Sequence, residues 1–286
     1  MGHHQVESLP VTTSHKRVVA MLGEGAGMAG SPGVGPAALE QVADAMLSAT
    51  LAGFDRAASD EGLIYAFHLL TQITQAARDE GRFQQRLVEL GLTGNELDFA
   101  ESKVNGGSGI ANSIYDLVAK YTFAIDEHLA KTGTRTDLGE IAQRAAAQSL
   151  TVLGQEYANT LFGTGPEAVQ DALRRLSTQS GFARLTQDFF GRVASGFLIY
   201  HLSKELSNHV GRGRRFADVS EHNEFLAAMD SHCQTAASVL REFSGTWYSK
   251  HNFQGGITPR KSAGFVRHTL EKVGDALTYL GGADAT

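Results

Sequence analysis

The sequence predicts an all-α protein, a multi-helix bundle of about eight helices behind a Gly-rich N-terminal arm. Three observations predict it. Apolar residues recur at three- and four-residue steps, most plainly through Ile110, Ile114, Leu117, Val118, Tyr121, Ile125 and Leu129. Capping-box spacings with Pro and Gly at the borders repeat along the chain. Period-two alternation rich in β-branched residues is absent after the arm, so no sheet is expected.

Residues 1–35 are polar at the start, carry the short Val18–Leu22 apolar run, and turn Gly/Pro-rich from Gly23 to Pro36. They read as a flexible arm ahead of a helical domain over residues 36–286. Pro36 suits a first helical position, with Leu39, Val42, Met46 and Phe54 on the inner side. Leu63 to Ala77 follows, striped by Leu63, Phe67, Leu70 and Ile73, and a shorter helix is expected over Arg82 to Leu90. Thr93 with Glu96 has capping-box spacing, and Gly106-Gly107 breaks the chain before a long helix from Ile110 to Leu129.

The polar stretch Lys131-Thr132-Gly133-Thr134-Arg135 is the candidate boundary between two helical halves, near residues 131–136. Asp137 with Glu140 opens a helix to roughly Phe162, and Thr164 with Glu167 opens another. Gln179-Ser180-Gly181 separates that from a long segment, Phe182 to His209. After the basic turn Gly211–Arg215, Ser220 caps a helix through Phe225, Met229, Leu240 and Phe243. Thr258 and Pro259 open the last helix, which is expected to stop at Gly281-Gly282.

Composition narrows the function classes. The 286 residues carry a net charge of -6, which argues against a surface that coats nucleic acid throughout and leaves room for a local anion or nucleic-acid site. Cys233 is the single cysteine, so no intrachain disulfide or four-thiolate zinc site can form, and the cytoplasm is the expected compartment. No secretory signal pattern and no apolar run of about 20 residues is present, so no membrane span is expected.

Candidate chemistry is sparse. Gly25-Ala26-Gly27-Met28-Ala29-Gly30 spells a dinucleotide fingerprint, yet Ser31-Pro32-Gly33 follows where a helix should open, so no nucleotide cofactor is expected. His201, Glu205 and His209 share one helix face at four-residue steps. Residues eight apart lie ~12 Å apart along the axis, so only one adjacent pair could share an ion, and a metal site here is an alternative reading. Cys233 beside His232 points away from it on a helix and reads as a buried apolar thiol; His68 reads as a hydrogen-bonded histidine near the core.

Arg215 and His222, spanning a helix start, form a pair that resembles the Arg-x(4–6)-His element of the HEPN ribonucleases. The resemblance covers that one short motif, and Phe216 stands where the family has a polar residue. It implies a second alternative in which Arg215 stabilises an anion and His222 works as acid and base on an RNA phosphodiester.

The richest segment runs from Phe243 to Lys261. It joins Trp247, Tyr248, Lys250, His251 and Phe253 to Gly255, Gly256, Thr258, Arg260 and Lys261. Aromatic faces beside a Gly-rich entry into a helix suit a partner or an anion, and two cations at a helix start call for an opposing charge. The competing reading is a plain turn in which Trp247 and Phe253 seal the core. The sequence as a whole supports a non-enzymatic, cytoplasmic helical subunit that docks a protein partner or itself through a loop from Trp247 to Lys261.

Overall fold

The computed structural model describes residues 54, 57–93, 111–158, 165–207, 210–211 and 216–283, leaving out the side chains of residues 158, 201–207 and 279–283. Within these, nine α-helices and one 3-10 helix account for the regular structure, and no strand is present among the described residues. The all-α reading holds; the N-terminal arm, the Pro36 helix and the Thr93–Glu96 and Thr164 capping sites lie outside the described residues.

Helix α1 spans Glu61–Ala76 and is buried on most of its circumference, through Leu63, Ala66, Phe67, Leu70 and Ile73. Such a helix belongs at the centre of a bundle. Even its buried hydroxyls are satisfied within it, Thr71 donating to the His68 carbonyl at 2.7 Å and Thr74 to that of Thr71 at 2.9 Å. Asp60 caps α1 by accepting from the Leu63 N–H at 2.8 Å. Burial raises the Asp60 pKa above the usual carboxylate value, against the lowering pull of its bonds to Thr136, Leu63 and Gly62.

Short α2, Phe83–Glu89, tucks Phe83 and Leu87 inward. Helix α3 runs Ile114–Thr132, four residues later at its start than the periodicity suggested, because the Ser113 hydroxyl accepts from Asp116 N–H at 3.1 Å and fixes the first turn there. Gly133 ends α3 at φ 69°, the left-handed conformation that glycine adopts without strain. The polar stretch thus closes α3 with Lys131 and Thr132, and residues 133–136 are the connection into α4, Asp137–Ala158. Here Thr136, not Asp137, is the cap: its hydroxyl accepts from Gly139 N–H at 2.9 Å and donates to Asp60 at 2.7 Å, tying the starts of α1 and α4 together.

Helix α5, Pro166–Leu176, opens with Pro at its first position. The long helix α6, Gln179–Ser207, begins three residues before the expected Phe182, since the Thr178 hydroxyl accepts from Gly181 N–H at 3.1 Å and draws the supposed spacer 179–181 into the first turn. Helix α7, Val219–Ala236, is capped by Asp218, whose carboxylate accepts from Ser220 and Glu221, so Ser220 itself is not the cap. The 3-10 turn Ala237–Glu242 then leads into α8, Ser244–Phe253, and α9, Pro259–Ala283. The one helix expected through Phe243 is therefore an α-helix followed by a 3-10 turn, and α8 stands where a loop was expected. The final helix also passes through Gly281-Gly282, because glycine lowers helix propensity without removing the backbone N–H.

The buried side chains form one apolar cluster from Phe54 to Leu277. Glycines set how closely its helices approach. A Cβ on Gly62 would lie 2.6 Å from Gly139 Cα, backbone against backbone, where α1 crosses α4. On Gly245 it would lie 2.2 Å from the Gln179 carbonyl oxygen, which is why α8 can lean on the start of α6. Gly62→Ala is expected to destabilise the fold by about 1–3 kcal/mol through forced separation of α1 and α4. Gly264→Ala, on an exposed position of α9 with open space around it, is expected to stabilise by about 0.5–1 kcal/mol. Urea unfolding of both variants reads this contrast.

Candidate functional site

The richest sequence segment folds as α8, a turn over residues 254–258, and the first turn of α9. The expected loop from Trp247 is thus mostly helix. Its two largest aromatics face inward: Tyr248 is fully buried, stacks on Phe182 at 3.9 Å between ring centroids, and donates to the Thr74 hydroxyl at 3.0 Å. Trp247 is half-buried, tilted against Phe265 at 4.1 Å and near Phe67 at 6.2 Å. Both are anchors of the helix to the core. Phe253, at the C-terminal end of α8, is 93% exposed and seals nothing.

The turn after Phe253 is held from both sides. Gln72 of α1 donates to the Ile257 carbonyl at 2.9 Å, Gln75 donates to the Asn252 side-chain oxygen, and Lys261 Nζ donates to the Gly256 carbonyl at 2.7 Å. Gly255 and Gly256 take φ values of 85° and 90°, which side chains rarely adopt. The Thr258 hydroxyl accepts from Lys261 N–H at 3.3 Å, so Thr258 does cap α9 beside Pro259. Below the turn, Ile257 is buried and Ser262 meets His68 Nδ1 at 3.0 Å. The backbone here is therefore fixed by bonds to a buried helix.

Beside Phe253 lies an open groove of about 490 Å³ lined by Gln75, Arg78, Ser249, Asn252, Phe253 and Gly256. Its surroundings are basic. No Asp or Glu occurs from Phe243 to Leu270, a span that holds Lys250, Arg260, Lys261 and Arg267 in a chain of net charge -6. Burial lowers the His251 pKa, and Lys261 and Lys250 lower it further, which places both ammonium groups within electrostatic reach of that ring. Arg78 acts in the same sense on the buried Tyr248 phenol, whose pKa burial itself raises.

The other sequence candidates are scattered. His222 packs edge-on against Phe216 at 5.5 Å, with its Nε2 buried and without a hydrogen-bond partner. Arg212, Arg214, Arg215, His209 and the glycine fingerprint lie outside the described residues, as do the side chains of His201 and Glu205. Cys233 is buried in α7, and burial, with Asp230, pushes its thiol up to about 12. Glu156 pairs with Arg184 through two bonds of 2.7 Å. Among the described residues no three His, Cys, Asp or Glu side chains gather where they could share an ion, and no helix is long and apolar enough to cross a membrane.

Gln75 and Arg78, which complete the groove, lie some 175 positions before Asn252. Nothing local marks them, since only packing of α1 against α8 and α9 brings them there. No known protein family, curated protein or solved structure matches the chain.

Two measurements check these environments. Cys233 is expected to resist alkylation by iodoacetamide at about pH 8 in the native protein and to react fully in denaturant, read by mass spectrometry. Burial sets the His68 pKa below its ordinary value, so neutral His68 is the form the fold prefers. Its stabilisation is present above the ordinary imidazole pKa of about 6.5 and is lost as the pH falls through the folded value. His128 and His251 shift the same way, whereas Asp60 shifts in the opposite sense. The fall in Tm between about pH 7.5 and 5.5 is therefore expected to be smaller in His68→Gln, which retains a partner for Ser262 and does not titrate.

Proposed function

We propose that this protein is a cytoplasmic helical binding subunit that docks a protein partner through the surface formed by Phe253 and its neighbouring groove. The observation that carries this reading is an almost fully exposed phenylalanine at the end of a helix that Trp247 and Tyr248 lock into the core. An apolar ring in water gains free energy when covered, about 25 cal/mol per Å² of apolar surface removed. A ring on a pre-ordered backbone loses little further entropy on binding, which is the property of an interface anchor. Most sequence-chosen binding residues contribute indirectly: Trp247 and Tyr248 hold α8, while Gly255, Gly256, Thr258 and Lys261 shape the turn.

Phe253→Ala is expected to keep the circular dichroism spectrum and Tm of the parent protein, since Phe253 has no share in the core. Cross-linking with native extract should recover a partner with the parent protein and with Tyr115→Ala, a substitution at another exposed aromatic. Phe253→Ala should lose it. Recovery of the same partner by Phe253→Ala, or of no partner by the parent protein, would contradict the docking reading.

A further inference from the structure

The groove beside Phe253 also carries information about the chemistry of its partner. Gln75 Nε2 donates to the side-chain oxygen of Asn252, which fixes the amide of this groove-lining residue in place. Its Nδ2 is buried at the atom, on the side of the Tyr248 phenol, so it offers the groove no donor. Arg78, lining the same groove, makes no ion pair among the described residues, in contrast to Arg174, Arg184 and Arg192, which each pair with a carboxylate. Of the two acidic residues that follow Arg78, Glu80 is paired with Arg174. Asp79 is the other, and α8 and its turn contribute none.

A guanidinium donates and does not accept, so what complements it is an acceptor with negative charge. Lys250, at the end of α8, extends the positive field, and Phe253 stands on the rim as an apolar contact. Resting on the docking reading above, we propose that the occupant is an acidic peptide segment that sets a carboxylate on Arg78 and an apolar side chain against Phe253. A nucleic-acid strand fits less well: strand binding uses several stacking platforms, and the aromatics of α8 other than Phe253 are turned into the core.

The test is fluorescence anisotropy on the full chain with three labelled probes. One is a short degenerate peptide pool of Asp, Glu, Leu and Phe; the second replaces Asp and Glu by Asn and Gln; the third is single-stranded RNA of similar length. The acidic pool is expected to bind roughly tenfold or more tightly than the amide pool, with affinity falling as salt rises. Arg78→Glu should remove that preference while leaving the circular dichroism spectrum unchanged, and Asn252→Asp, which places an acid in the groove, should weaken the acidic pool in the same direction. Equal binding of the acidic and amide pools, tighter binding of RNA, or binding of no probe would overturn the acidic-partner inference. If the two pools bind equally and Phe253→Ala weakens both, the docking reading survives alone; if Phe253→Ala changes neither, that reading fails as well.

Discussion

Phe67 is the side chain on which the arrangement turns. Its ring lies within 5.0 to 6.2 Å of Phe265, Phe190, Phe189, Phe182 and Trp247, so one residue of α1 touches α6, α8 and α9 together. Aromatic pairs at such distances contribute about 0.5–1.5 kcal/mol each beyond the area they bury. The consequence for the surface is direct. Tyr248 and Trp247 are drawn into this cluster from α8, which leaves the end of α8, and Phe253 with it, no freedom to fold back over the core.

Close approach is what permits that convergence. Gly62 against Gly139 and Gly245 against Gln179 remove the side chains that would hold the helices apart. Gly191 similarly leaves room for Gln234, whose amide donates to the Asp188 carbonyl at 3.5 Å. Where helices meet this tightly, polar links fit between them: Thr136 to Asp60 joins α4 to the cap of α1, and the Tyr121 hydroxyl donates to the buried Ala66 carbonyl at 2.7 Å. The core is therefore specified by shape and by hydrogen bonds as well as by apolar area.

What could be read from the chain follows from the range of the forces involved. The stripes of α1 and α3 were legible because periodicity is local, and Leu63, Phe67, Leu70, Leu117, Tyr121 and Ile125 are all buried. Caps were legible only to within a residue or two, since Thr136 and Asp137, or Asp218 and Ser220, are alternative capping residues whose choice depends on side-chain geometry. The break that creates α8 was not legible: Gly245 is needed because of a carbonyl on α6, 66 positions earlier. The Phe243–Lys261 segment stood out by composition, but composition could not separate Trp247, which anchors, from Phe253, which is presented. Arg78 and Gln75 join it only through the packing of α1.

The central claim is that α8 and its turn form a rigid platform, fixed to the Phe67 cluster, from which Phe253 projects. Amide hydrogen exchange measured residue by residue over 244–262 tests it most directly. The account requires Tyr248 and the α8 amides hydrogen-bonded within the helix to exchange nearly as slowly as the centre of α1, opening only near global unfolding. Exchange of α8 and its turn at rates near those of an unstructured chain, while α1 stays protected, would contradict it.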